Sequence, residues 1–230
     1  MEKKRYNWLP DFVYGGIDGA VTTFAIVMGV VGAELSTAVI LVLGFANLLA
    51  DGFSMAAGKY SSDKAELEQI KLVKEKERQS IIENPREEKR EIREILREFG
   101  FKGQDLKKAE KVITSNPETW IHMMLHHEFH ILEDNINPKK GAIATLVSFV
   151  LIGLIPLLAY IAQPLLSLDD DQALMATIIG TLLGLFIVGT VKTRFTDRHW
   201  VLAGLETSAI GGFAALLAYL VGAGVHSLVA

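Results

Sequence analysis

Three residues in the first quarter of the chain bring metal-binding or proton-carrying chemistry into apolar sequence. Asp18 interrupts the apolar segment FVYGGIDGAVTTFAIVMGVVGA, and Asp51 lies in a second apolar segment between Leu35 and Gly58. Met55 follows Asp51 by one helical turn. A carboxylate inside a membrane helix costs about 2.5–3.5 kcal/mol on insertion scales, and such groups usually face a helix bundle or a polar pathway. These residues therefore predict an ion or proton route through a membrane.

Asp51, Met55 and Lys59 are spaced i, i+4 and i+8, which places them on one face of a helix. A carboxylate oxygen and a thioether sulfur one turn apart suit a borderline divalent metal, whereas Mg²⁺ and Ca²⁺ prefer oxygen ligands alone. In the alternative interpretation Met55 fills a packing gap and Asp51 pairs with Lys59. Residue chemistry leaves both interpretations open.

A second set of carboxylates lies in the charged middle of the chain. Glu88 and Glu91 are one turn apart, and Glu77 precedes Glu88 by eleven residues. Glu77 and Glu88 share a helix face only if one helix continues through Pro85. The alternative is that these glutamates form the solvated face of a charged helix, and spacing alone favours that alternative.

The segment HMMLHHEFH contains four of the six histidines of the chain. Met123 with His127, and His126 with His130, have the one-turn spacing of metal ligands on a helix. The alternative is a pair of packing methionines beside exposed histidines. Either a metal site or an ordinary amphipathic helix fits this segment.

Five apolar segments, at about 12–33, 35–58, 141–163, 173–191 and 200–228, are long enough to cross a bilayer. Residues 61–140 are hydrophilic and carry helix start signals at Asn84–Pro85 and Asn116–Pro117. The sequence thus predicts an all-α integral membrane protein. It has five transmembrane helices and a three-helix insertion between helices 2 and 3, in the regions 1–60, 61–140 and 141–230. Pro156 predicts a kink in the third span.

The distribution of basic residues predicts which loops face the cytosol. Lys3, Lys4 and Arg5 precede the first span and KTRFTDR follows the fourth, whereas the loop QPLLSLDDDQ is acidic. The excess of Lys and Arg on cytoplasmic loops predicts a cytosolic N-terminus and a cytosolic insertion. The balanced charges of the insertion argue against nucleic acid as a partner, and the absence of cysteine excludes disulfides and thiolate metal sites.

Four motifs in order resemble the vacuolar iron transporter family: YGGIDGAVTTFAIVMGVVGA, GFANLLADGFSMAAGKYSS, the methionine pair with a nearby glutamate, and NPKKGAIATLVSFVLIGLIPLLAYI. The resemblance implies a homodimer in the lipid bilayer, with a cytosolic helical metal-binding domain. It implies export of Fe²⁺, and often Mn²⁺, from the cytosol in exchange for protons, with Zn²⁺ and Co²⁺ as further candidate ions. It implies a secondary transporter without an organic cofactor, in the plasma membrane of a prokaryote or the vacuolar membrane of a eukaryote.

Motif matching assigns Asp18 and Met55 to the ion pathway and Asp11 to its cytosolic mouth, and Asp51 joins them by its shared face with Met55. The residues assigned to the metal-binding domain are Glu77, Glu88, Glu91, Met123, Met124, His127 and Glu128. Three positions depart from the family pattern. Lys59 stands where a glutamate is common, Ser80 replaces the second glutamate of an ExxE pair, and His127 occupies the slot one residue before Glu128.

A membrane-anchored iron sensor or store, which binds metal without transporting it, is the alternative function. A pure sensor has no need for Asp18 and Met55 inside the bilayer. The insertion also lacks the paired ExxH motifs of a ferritin-type di-iron centre. The sequence therefore favours a transporter.

Overall fold

The computed structural model of the chain describes residues 6–129, 131, 135–195 and 197–229, and these residues form helices without any β-strand. His130, predicted above to pair with His126, lies outside the described residues. The helices are α1 (Leu9–Gly32), α2 (Thr37–Glu83), α3 (Pro85–Glu98), α4 (Gly103–Thr114), α5 (Pro117–His127), α6 (Pro138–Gly153), α7 (Ile155–Leu166), α8 (Asp170–Val191) and α9 (Trp200–Val229), with a 3₁₀ turn at Lys192–Phe195.

The chain divides into two compact units. The first, here called the membrane unit, comprises Asn7–Ser61 and Asn137–Ala230, and the second, the polar unit, is built from Ser62–Ile136. Helix α2 contributes residues to both units, because its apolar segment and its charged segment form one continuous helix.

Four helices of the described chain, α1, α2, α8 and α9, are long and apolar enough to cross a membrane. Helices α6 and α7 meet the same criterion together and are bent by 43° at Leu154, so the number of spans reaches five if this pair is one span. Pro156, in the first turn of α7, lacks the N–H that would continue the hydrogen bonds of α6. The bend therefore lies where the proline predicts a kink.

Helix α1 packs against α6, α7, α8 and α9 in the membrane unit. Small residues permit close approach at two of these contacts, since a β-carbon at Gly19 would overlap the carbonyl oxygen of Phe149, and one at Gly222 the carbonyl oxygen of Gly29. The surrounding core includes Val27 and Leu48. This packing leaves α1 with a buried side and a side that carries its carboxylates.

The polar unit owes its helix boundaries to asparagine and proline. Asn116 caps α5 by accepting hydrogen bonds from the backbone N–H groups of Glu118 and Thr119. Asn84 separates α2 from α3 without a side-chain capping bond, and Pro85 begins α3. Apolar residues of α3, α4 and α5 then form one core around Ile92, which is fully buried. The folded-back α2–α3 connection and this core position the glutamates described below.

Candidate functional site

Two carboxylates of α1 each interact with a charged side chain of α2 in the membrane unit. Asp11 and Asp18 are seven residues apart on α1, and Asp51 and Lys59 are eight apart on α2, so each pair spans two helical turns on one face. Asp18 and Asp51 lie close enough for their charges to repel each other. Lys59 Nζ lies 3.1 Å from Asp11 Oδ1. Lys59 therefore pairs with Asp11, whereas the packing interpretation of the sequence had assigned it to Asp51.

Two further polar residues, Thr22 and Asn47, continue this alignment and were not singled out from the sequence. The side-chain amide of Asn47 donates to the hydroxyl oxygens of Thr22 and Thr23, at 3.4 Å each. Thr22 is one turn from Asp18, and Asn47 is one turn from Asp51, so the same i+4 spacing would have revealed them. We call the aligned groups the polar stripe; its members are Asp11, Asp18 and Thr22 on α1 and Asn47, Asp51, Met55 and Lys59 on α2.

Met55 lies between Asp51 and Lys59 on α2 and is partly buried, where it packs against the apolar core of the membrane unit. The contact agrees with the packing interpretation of Met55. Met55 also lies one turn from Asp51 on one continuous helix, the spacing on which the metal interpretation is based. The two roles are compatible, because a thioether that fills a gap keeps its lone pairs.

Asp51 differs from the other stripe members because it is exposed in the single chain. Most of the membrane part of α2 is exposed around it, including Leu49 at 72% and Phe53 at 71%. An exposed carboxylate between apolar side chains is costly in lipid. The single chain therefore leaves a charged group of the stripe without a protein cover.

In the polar unit, four glutamates from different helices come together. Glu77 lies on α2, Glu88 and Glu91 lie on α3, and Glu128 follows the last residue of α5. Glu77 interacts electrostatically with the other three, and Glu77 and Glu88 are buried. Helix α2 ends at Glu83 and α3 begins at Pro85, so the condition under which Glu77 and Glu88 would share one helix face is not met. The chain instead folds back at Asn84, and this reversal brings Glu77 to Glu88.

Crowding and burial raise the pKa values of carboxyl groups in this glutamate cluster. The pKa of Glu77 is raised to about 8, first by burial and then by a side-chain hydrogen bond with Glu88 and the negative charge of Glu88. Burial and the charges of Glu88 and Glu128 raise the pKa of Glu91 to about 7. Among the described residues, Oε1 of Glu77 and Oε2 of Glu88 are buried without a hydrogen-bond partner. The cluster is suited to hold either a proton or a cation near neutral pH.

The methionine and histidine residues of α5 occupy different surroundings. Met124 is fully buried in the apolar core of the polar unit, and Met123 is partly buried against the same core. His127 is partly buried, with its ring centroid 4.9 Å from that of Phe99 in an edge-on contact, while His122 and His126 are exposed. The packing interpretation accounts for both methionines, and the ligand roles of Met123, Met124 and His127 stay predictions.

Within the described ranges, no group of three or more His, Asp or Glu side chains has an arrangement that could by itself hold a metal ion. The glutamate cluster brings carboxylates near one another but does not enclose a complete ligand sphere. A cation bound there would need ligands besides these side chains, such as water or sulfur.

The sequence profile of the VIT family matches residues 9–223. The vacuolar iron transporter of Toxoplasma gondii is 33% identical over 222 residues, which are 94% of this chain and 74% of that protein. The vacuolar iron transporter of Plasmodium berghei is 30% identical over 220 residues, covering 93% and 81% of the two chains. Vacuolar iron transporter 1 of Arabidopsis thaliana is 30% identical over 212 residues, covering 91% and 82%. The matched region includes every residue of the polar stripe and of the glutamate cluster.

Proposed function

Because the chain belongs to the VIT family, we propose that it is a multi-pass membrane transporter, not an enzyme, that exports ferrous iron from the cytosol in exchange for protons, with manganese as a second substrate. The proposal is supported above all by the proximity of Asp18 and Asp51, two carboxylates on helices that are long and apolar enough to span a membrane. Two like charges close together in an apolar unit are unfavourable, and a cation or a proton between them relieves the repulsion. A site with both options supports exchange of one for the other.

The glutamate cluster would gather the metal on the cytosolic side. Its carboxylates near neutral pKa release a proton when a cation binds, which makes capture sensitive to pH. Glu77, Glu88, Glu91 and Glu128 supply oxygen ligands, and Met123, Met124 and His127 are the proposed softer ligands. Fe²⁺, Mn²⁺, Co²⁺ and Zn²⁺ accept such mixed sets, in contrast to Mg²⁺ and Ca²⁺.

The polar stripe would carry the ion across the bilayer. We assign Asp11 to the cytosolic entrance and Asp18, Asp51 and Met55 to the central site. On the far side, protons compete with the metal for the two carboxylates, because a protonated carboxyl group no longer attracts the cation. Metal release outward and proton return inward follow from the same competition.

A second copy of the chain would complete the route. Asp51 and much of α2 are exposed in one chain, and a charged group facing lipid is unfavourable. A homodimer that apposes the α2 helices would bury Asp51 and surround the stripe with protein. The distribution of Lys and Arg supports a cytosolic polar unit, with the vacuolar membrane as the site in a eukaryote and the plasma membrane in a prokaryote.

Flux into proteoliposomes tests this function. The full chain is reconstituted, and uptake of Fe²⁺, Mn²⁺, Zn²⁺, Co²⁺ and Ca²⁺ is measured with and without an opposing proton gradient. We expect gradient-dependent uptake of Fe²⁺ and Mn²⁺ that Asp18→Asn abolishes. Asp105→Asn, which removes one exposed carboxylate of α4, serves as the matched control and should transport normally. Uptake that ignores the gradient would contradict proton exchange.

The sensor or storage alternative predicts the opposite result. Such a protein would bind iron in the glutamate cluster, give no flux in any gradient and be indifferent to Asp18→Asn. The relatives are named as transporters, and the membrane carboxylates have no role in a sensor, so we do not favour this alternative.

A further inference from the structure

The positive charge of Lys59 lies at one end of the polar stripe, beside Asp11, a predicted cation ligand. Lys59 Nζ is 3.1 Å from Asp11 Oδ1, and the two side chains keep only 32% and 15% of their exposure. A partly buried pair is screened by salt less than a pair on the surface. The ammonium group therefore competes directly with any cation that approaches Asp11.

We propose that Lys59 is a tethered counter-ion, which occupies Asp11 in place of the transported metal until a divalent cation displaces it. This inference rests on the proposed function, because it takes the polar stripe to be the ion route. At equal separation a dication attracts a carboxylate twice as strongly as a single positive charge does. A divalent ion can therefore displace the ammonium, whereas Na⁺ and K⁺ gain no electrostatic advantage over it. Lys59 thus lowers the affinity for metal and in return excludes monovalent cations.

The side chain of Lys59 is suited to this exchange. Its charge is carried on a flexible four-carbon stem, so the ammonium group can leave Asp11 without a change in the backbone of α2. Its remaining exposure gives the released ammonium access to water, which avoids leaving a buried charge without a partner. Lys59 also shares its helix face with Met55 and Asp51, so an ion admitted at Asp11 next meets those ligands.

The test compares initial rates of Mn²⁺ uptake by proteoliposomes that contain the full chain or its variants. Lys59→Gln should lower the KM for Mn²⁺ by about three- to tenfold, the range expected when a partly screened unit charge is removed. Lys59→Arg keeps the charge and can bind the carboxylate of Asp11 through two N–H groups, so its KM should be equal to or higher than that of the wild type. Lys140→Gln removes an exposed positive charge at the start of α6 and is the matched control, with an unchanged KM. Na⁺ should inhibit Lys59→Gln competitively and leave the wild type unaffected.

The double variant Lys59→Gln/Asp11→Asn separates displacement from a structural effect. If Lys59 acts through Asp11, the double variant should have the same KM as Asp11→Asn alone. A merely structural ion pair would reduce the yield of folded protein and the maximal rate without lowering KM. An unchanged or raised KM in Lys59→Gln would overturn the inference while leaving the transport function intact.

Absence of flux in the wild type would count against the proposed function, and the inference would then be tested by binding. Glu77, Glu88 and Glu91 are replaced by Gln in the full chain. Electron paramagnetic resonance then measures how many Mn²⁺ ions this variant binds. Adding Lys59→Gln should create a Mn²⁺ site that Asp11→Asn removes. If no such site appears, Lys59 is not a counter-ion in competition with metal.

Discussion

At the scale of single residues, the glutamate cluster predicts how the stability and the metal affinity of the protein depend on pH. The raised pKa values of Glu77 and Glu91 mean that the folded protein binds protons more tightly than the unfolded chain does. Protonation of these two groups contributes fully to the free energy of unfolding below the pKa of an unfolded glutamate, near 4.5. This contribution is lost as pH rises through the folded pKa values of about 7 for Glu91 and about 8 for Glu77. The cation that we propose for this cluster would replace those protons, so metal affinity should change in the opposite direction.

We therefore expect the affinity of the full chain for Mn²⁺ to rise between pH 6 and pH 8 and to level off above pH 8. The rise approaches about tenfold per pH unit for each proton that the metal displaces. Glu77→Gln should weaken binding at pH 8 and flatten the pH dependence. Titration calorimetry in buffers of different ionisation enthalpy measures both the affinity and the protons released.

Glu83→Gln supplies the control for this experiment, since Glu83 is an exposed glutamate at the end of the same helix. Its affinity should follow the wild type at every pH. An equal loss of affinity in Glu83→Gln and Glu77→Gln would show that general negative charge, and not the cluster, attracts the metal.

At the scale of helices, the close contact of α1 with α6 depends on the absence of a side chain at Gly19. Gly19→Ala places a methyl group against the carbonyl oxygen of Phe149, and backbone cannot move aside as a flexible side chain can. We expect a loss of about 1–3 kcal/mol of stability, the usual cost of overpacking, seen as a lower melting temperature in detergent. Gly180→Ala on α8, where a β-carbon has no neighbour within 4 Å among the described residues, should melt like the wild type.

The two asparagines that begin helices of the polar unit form a second matched pair. Asn116→Ala removes an acceptor for two backbone N–H groups at the start of α5 and should cost about 1 kcal/mol. Asn84 makes no side-chain capping bond, so Asn84→Ala should cost less. Chemical denaturation of the purified protein measures the difference, and equal losses would mean that the α5 cap contributes nothing.

Much of this helical framework could be predicted from the sequence, because spans, caps and the bend near Pro156 are local signals. The pairing of Lys59 with Asp11 could not be predicted, since it depends on the register in which α1 meets α2. Spacing did not predict the approach of Glu77 to Glu88, because it required one helix through Pro85 and favoured a solvated face. The helix breaks at Asn84 instead, and the tertiary fold of the polar unit brings the two carboxylates together. Sequence spacing predicts which residues share a face of one helix, but it does not predict contacts between helices.

At the scale of the whole molecule, the exposed α2 predicts how two copies associate. The chain contains no cysteine, so a single introduced cysteine reports one position without background. Ser54→Cys, on the exposed part of α2, should form a disulfide-linked dimer in membranes after mild oxidation. Leu183→Cys, equally exposed on α8, is the control and should stay monomeric on a denaturing gel. Cross-linking through Leu183 alone would place the dimer contact on α8 and contradict the proposed arrangement.

The buried glutamates have a consequence for how long the protein survives in a cell. The polar unit holds crowded carboxylates, two of them buried, and the cation proposed to bind there would stabilise the fold by mass action. Proteases degrade the fraction of a protein that is transiently unfolded, so small changes in stability alter abundance severalfold. We expect the chain to be cleared faster when its substrate is scarce and to accumulate when the substrate is plentiful. The amount of the transporter would then follow metal supply without any change in gene expression.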